Sequence, residues 1–427
     1  MSAGSIATPR SRLAAFGGLR RPAATGLIVR ARVAKVAVAV LVFYALVVAV
    51  YLGAGGGVRD FINVSPHFIE RGDTSSVISS PSVYDYGAHH LGQKATGYDG
   101  QFYYFIALDP TRAAHYIDSP PYRYGRILYP MLARFAALEQ PAAVPWAMLI
   151  ISWLAVGGGV LALAAWLARR GASPWFAALY GLFPGMLVAF QHDLTEPLAY
   201  GLVALAVYLF DFGGRRGVLL SAAAFGLAAL TRETTVLFAI LFGLSIIAGR
   251  PNSSRPRALR ARARQAFGFF ALALVPFLTW LAVDYALLGI ANPGTVDPVP
   301  FKGIIGPFNP SVELLFVGIP ALLFSVALLP GLRAKTGRLE RYCVLANTGL
   351  AVVFSTGALW NNYEGVGRAA IAVVLAAILC MPYRRERPAG RAALLGRAAA
   401  VGVPFTLWML PVLFGVYVNF AGRLFNA

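Results

Sequence analysis

Residues Ala34 to Ala54 read AKVAVAVLVFYALVVAVYLGA, and this stretch decides the fold class. After Lys35 it carries no charge. About twenty apolar residues is the length an α-helix needs to cross a bilayer's ~30 Å hydrocarbon core. The apolar core of a cleaved signal peptide runs only about 7–15 residues, so the stretch suits a retained anchor better. Comparable runs recur as far as Phe420. The composition agrees: 58% of the 427 residues are hydrophobic and mean hydropathy is +0.65. Only 13% are charged, against about 25% in an ordinary soluble domain. The expectation is an all-α, polytopic transmembrane bundle.

Working outward, the apolar runs place spans at 34–54, 143–168, 174–190, 196–212, 217–231, 235–249, 266–288, 312–330, 342–360, 369–382 and 398–420, about eleven in all. The pairs 174–190/196–212 and 217–231/235–249 are short and tightly spaced, so re-entrant hairpins are an alternative to full crossings. Residues 1–33 are Arg-rich and without acids, and read as a disordered basic cytoplasmic tail. Residues 34–427 read as one transmembrane domain that includes a long first outer loop, 55–142.

The net charge of +19 suggests nucleic acid at first sight. Its distribution argues instead for a lipid bilayer as the partner and for no nucleic acid. With the N-terminus inside, the expected cytoplasmic segments collect 26 of the 37 Lys and Arg residues, as the positive-inside rule requires. The same segments hold only Asp211, Glu340 and Glu386 of the 18 acids. Acids contribute little to orientation, so their gathering on the outer side is a separate observation and points to chemistry there. The location that follows is a multi-pass plasma (inner) membrane protein with an extracytoplasmic site. Cys343 and Cys380 stand in or beside apolar runs without metal-ligand spacing, and read as small buried hydrophobes.

Five polar stretches interrupt the apolar pattern. Tyr98-Asp99-Gly100-Gln101-Phe102-Tyr103-Tyr104 puts an acid at the entry to an aromatic helix; the plain alternative is that Asp99 only caps that helix or turns a corner. Tyr122-Arg123-Tyr124-Gly125-Arg126, followed by Leu128-Tyr129-Pro130, offers guanidinium groups whose geometry matches phosphate, or else side chains snorkelling at the interface. His192-Asp193-Leu194-Thr195-Glu196-Pro197 and Thr231-Arg232-Glu233-Thr234 are charged islands among apolar residues, and charge at membrane depth marks function by default. A water-exposed hairpin tip is the alternative for Arg232 and Glu233. Asn361-Asn362-Tyr363-Glu364-Gly365-Val366-Gly367-Arg368 is the fifth, with a solvated loop as its alternative. Gln101–Leu108 and Gly125–Leu138 are expected as helices lying along the outer interface.

The order of these motifs resembles the GT-C superfamily of polytopic glycosyltransferases, in particular the GPI-mannosyltransferase (PIG-V-type) branch and its bacterial relatives. The likeness runs over residues 34–250. It implies a GT-C type bundle that moves a sugar, mannose being one candidate, from a polyprenyl-phosphate donor to an extracytoplasmic acceptor (glycolipid, cell-surface polymer or protein). It implies Asp99 as general base, with inversion at the anomeric carbon. Arg126 and Arg232 would stabilise the leaving phosphate. Asp193, Glu196 and Glu233 would bind sugar hydroxyls or orient the arginines, and Gln101 and Tyr103 would complete the substrate site. No cofactor is required, although hard carboxylate ligands leave a divalent cation possible. Two other classes remain open: a transporter or lipid flippase, and a non-catalytic membrane scaffold.

Overall fold

The computed structural model describes residues 23–64, 97–211, 214–248, 256–289, 299–300, 318–328, 337–353 and 363–383. Among them all regular structure is helical, so the expected all-α class is observed. The helices in chain order are α1 Ala23–Gly53, α2 Gly100–Leu108, α3 Pro120–Tyr124, α4 Leu128–Ala136, α5 Val144–Arg169, α6 Ala177–Gly181, α7 Pro184–Gln191, α8 Glu196–Phe210, α9 Gly214–Thr231, α10 Val236–Ala248, α11 Pro256–Leu288, α12 Ile319–Leu328, α13 Arg338–Val353 and α14 Tyr363–Leu379.

Among the described residues three helical stretches are long and apolar enough to cross a membrane: Arg30–Gly53, Pro141–Arg169 and Leu259–Leu288. A fourth crossing arises if Pro174–Gly181 and Pro184–Gln191, bent by 50° at their junction, form one broken span. The apolar helices Glu196–Phe210, Arg216–Thr231, Glu233–Ala248 and Gly365–Leu379 are shorter than the ~20 residues of a full span. Among the described residues, then, three or four crossings meet the length test, where the hydropathy pattern places about eleven over the whole chain. The expected span 398–420 lies outside the described residues. Helix α1 begins at Ala23, so it also takes in residues 23–33 of the stretch read as tail.

The helices show why lipid suits them. On α1 the residues Val36, Val40, Tyr44, Val47 and Tyr51 form one buried stripe. The opposite face, Val38, Val42, Leu46 and Val50, is equally apolar and about half exposed. A soluble helix would carry polar residues there. Helix α5 packs on α1 and α8, α8 on α9, and α9 on α11, while α14 packs on α7, α12 and α13. A carbonyl freed at a helix break inside the bundle finds a partner, as an apolar surrounding demands. The Tyr44 hydroxyl donates to the Gly181 carbonyl at 2.7 Å, at the break where Pro184 prevents α6 from continuing into α7.

One expected interfacial helix is instead internal. Every residue of α2 is buried, in a cluster with Tyr116, Tyr129 and Met148. Its aromatic residues run all round the helix, and such a helix packs inward. Helix α4 does keep an exposed apolar edge, with Leu132, Phe135 and then Leu138 facing outward.

Candidate functional site

Asp99 is placed by three neighbours. Gly97 adopts φ +64°, and Tyr98 N–H donates to the Asn63 carbonyl at 2.9 Å. Gly100 passes so close to the 191–195 turn that a Cβ there would stand 2.1 Å from the His192 carbonyl oxygen, so only glycine fits. The Tyr98 ring stacks on His192 at 4.2 Å, fixing the same contact from the other side. Asp99 stands at the N-terminus of α2 but makes no capping hydrogen bond. Its carboxylate is used elsewhere. Oδ1 accepts from Arg123 Nη2 at 3.0 Å and Oδ2 from Arg368 Nη1 at 2.9 Å. The capping alternative is thereby removed as an account of this side chain.

Arg123 belongs to the short helix α3, which is tied to α11 by a 2.7 Å hydrogen bond from Trp280 Nε1 to the Tyr124 carbonyl. Besides Asp99 it binds Asp118 twice, through Nε at 2.8 Å and Nη2 at 2.7 Å, and it lies over the Phe102 ring. Arg368 belongs to α14. That helix approaches α7 through two glycines: a Cβ on Gly185 would meet the Gly367 carbonyl oxygen at 2.0 Å. This crossing carries the next residue, Arg368, to Glu196 as well as to Asp99, with Nε 2.5 Å from Glu196 Oε1. The same oxygen is 3.0 Å from Arg232 Nη1. Arg232 leaves the helical conformation (φ −159°, ψ 119°) just after α9 ends, and this turns it inward.

The result is a continuous chain of charge: Asp118, Arg123, Asp99, Arg368, Glu196, Arg232. Beside it, Arg126 and Glu233 form a bidentate pair, Nε to Oε2 at 2.9 Å and Nη2 to Oε1 at 2.8 Å. Arg126 also donates to the Tyr103 hydroxyl at 2.9 Å and to that of Tyr122. Four arginines and four carboxylates thus meet, drawn from the outer loop, both hairpin turns and α14. The four arginines and Glu196 are buried, while Asp99, Glu233 and Asp118 keep part of their side chains exposed. Burying five ions seldom stabilises a fold over apolar packing, so the cluster argues for a function.

Two arginines are incompletely satisfied. Arg123 Nη1 and Arg232 Nε and Nη1 are buried without a hydrogen-bond acceptor, the last despite its proximity to Glu196. Arg126, in contrast, has each guanidinium nitrogen engaged. Buried unpaired donors cost about 1–3 kcal/mol each, more when charged. Burial alone would raise the Asp99 pKa, but the Arg368 and Arg123 guanidinium groups hold it well below the usual carboxylate range.

The structure brings Asp99, Arg126, Glu196, Arg232 and Glu233 into one region, as the sequence reading expects, with Tyr103 on its floor. Gln101 is buried with its amide against Gly97. Asp193 stands apart from the arginines among the described residues. It is fully buried at φ +47°, neither carboxylate oxygen has a hydrogen-bond partner, and burial raises its pKa well above the ordinary value. Of its two expected parts, binding sugar hydroxyls or orienting arginines, the second is not what the geometry shows; its neighbour is Tyr129. The sequence reading missed the roles of Arg368 and Asp118, and offered Arg123 as a phosphate-binding guanidinium without expecting its pairing with Asp99 and Asp118. An arginine inside the apolar helix Gly365–Leu379 was the available signal for Arg368. Asn361 and Asn362 lie outside the described residues. Among the described residues no three His, Cys, Asp or Glu side chains converge as metal ligands.

No family model, curated protein or solved structure matches the chain.

Proposed function

We propose that the chain is an integral-membrane glycosyltransferase of GT-C type, moving a sugar from a polyprenyl-phosphate donor to an extracytoplasmic acceptor. One observation carries the reading: a buried arginine cluster with unfilled donors, surrounding a carboxylate at one end of an apolar helical bundle. A lipid-linked phosphate is the anion that reaches such a place from the bilayer. The far end of the same helices has another character. There Arg170, after α5, holds Asp211, after α8, at 2.8 and 2.6 Å. The fifteen residues of α8 separate the two ends by about 22 Å at 1.5 Å per residue. Arg-rich segments at that end fit the cytoplasmic side, which leaves the cluster on the extracytoplasmic side.

In this reading the acceptor hydroxyl attacks the anomeric carbon as the bond from that carbon to the phosphate oxygen breaks. Asp99 takes the hydroxyl proton. Polyprenyl phosphate leaves with the electron pair, and Arg232 and Arg368 stabilise its charge. A single displacement with one base inverts the anomeric centre.

The broken pair α6–α7 favours a second reading, a transporter or lipid flippase, since interrupted helices build transporter sites. Purified protein in sealed vesicles separates the two. The first predicts consumption of polyprenyl-phosphate sugar with transfer to acceptor. The second predicts movement of solute or lipid across the bilayer with the donor left intact.

A further inference from the structure

The arginines are already paired with carboxylates, in equal number. An entering anion must therefore either add net negative charge to a buried cluster or take an arginine from its present partner. The geometry ranks the partners. Glu233 holds Arg126 by two aligned bonds, with the Tyr103 and Tyr122 hydroxyls filling the rest of that guanidinium. Asp118 holds Arg123 by two more. Arg368 is held less firmly, being divided between two carboxylates with one nitrogen to each. Arg232 is held least, by one oxygen at 3.0 Å without a hydrogen bond's alignment. These two loosely held arginines share a single atom, Glu196 Oε1.

We propose that Asp99 and Glu196 are built-in competitors of a phosphate group, which binds across Arg232 and Arg368 by displacing them. Arg368 thereby becomes a positioning residue: one event seats the phosphate and frees one side of Asp99. The inference rests on the transferase reading for its ligand, a polyprenyl phosphate. It explains how a carboxylate clamped by two guanidinium groups becomes a serviceable base. A base must have a pKa near the working pH to be effective, and Arg368 and Arg123, both on Asp99, hold it too low. Of the charged or titratable groups packed round Asp99, Arg123 and Asp118 come from the outer loop and Tyr98 precedes it. Arg368 comes from α14, and Glu196 lies one guanidinium further on. Only the bond to Arg368 is shared with the proposed anion position. The order of binding follows: donor first, acceptor second.

The test is direct binding of a short-chain polyprenyl monophosphate to the purified full-length chain in detergent. Asp99→Asn and Glu196→Gln keep size and one acceptor oxygen while removing the competing charge. Each should bind the phosphate about tenfold more tightly than wild type. The gain from Asp99→Asn should vanish when Arg368→Gln is added, as a double-mutant cycle for a shared partner requires. Equal or weaker binding in both single variants, or a gain that persists without Arg368, overturns the competition. A wild type that transfers sugar while its variants bind no more tightly removes this inference and leaves the transferase reading intact. A wild type that binds the phosphate competitively but transfers nothing does the reverse. No binding by any form removes both.

Discussion

Arg126 and Arg232 stand a few ångströms from the same acids, yet their surroundings assign them different work. Arg126 is wholly buried, with each guanidinium nitrogen bonded to Glu233, Tyr103 or Tyr122. Arg232 keeps two buried nitrogens without acceptors. The first is therefore a structural tie between the outer loop and the second hairpin, and the second is free to take a ligand. Arg232→Lys retains the charge but loses the planar fork that grips two phosphate oxygens. It should lose most transfer activity and keep the wild-type melting temperature. Arg126→Gln should do the opposite first. By leaving Glu233 without its counter-ion it should lower the melting temperature by several degrees, visible by differential scanning fluorimetry, because a broken buried pair is costly. A pair of variants with the two effects exchanged would reverse the assignment.

The elements that deliver these side chains are breaks in helices more than helices themselves. Asp99 precedes the first turn of α2, Glu196 opens α8, Arg232 follows the end of α9, and Glu233 begins a 3-10 turn. Arg368 is the exception. It lies within α14, and it reaches the cluster only because Gly367 lets that helix touch α7 at Gly185. Gly367→Leu should push α14 outward, detaching Arg368 from Asp99 and Glu196. Expression should survive better than activity, since α14 also packs on α12 and α13, away from the glycine crossing. A variant with full activity would show that Arg368 is not needed where it stands. Local pattern made the hairpin turns legible, because a charge among apolar residues is conspicuous. It did not reveal α2 as a buried element, since an aromatic stretch that opens with a polar Gln101 looks interfacial until its partners Tyr116 and Met148 are known. Nor did it reveal Arg368 as the keystone, since the glycine contact that brings it in joins residues 182 positions apart.

Taken whole, the described helices form an apolar bundle with different charged groups at its two ends. The charge distribution is read from composition, which needs no contacts. Hydropathy, by contrast, counts apolar residues without showing where a helix bends, as α6 and α7 do by 50°. The orientation makes its own prediction. Cysteines introduced at Ser76 and Ser254 should differ in intact cells, with an impermeant thiol reagent labelling the first and sparing the second. Labelling at Ser254 alone would invert the arrangement and put the cluster in the cytoplasm.

The central claim is that Asp99 takes a proton from the acceptor, and one substitution isolates it. Asn is nearly isosteric, still accepts a hydrogen bond and caps a helix equally well, but takes no proton at neutral pH. Asp109 supplies the control. It closes the same helix, and its carboxylate is spent locally on Thr111 and the backbone of Arg112. The measurement is sugar transfer from a polyprenyl-phosphate donor in proteoliposomes, with equal amounts of folded protein. The account predicts a loss of about 10²–10⁴-fold for Asp99→Asn, the range for a general base, and a far smaller effect for Asp109→Asn. Transfer by Asp99→Asn at close to the wild-type rate would contradict it, and would move the search for the base to Asp193 and Glu196.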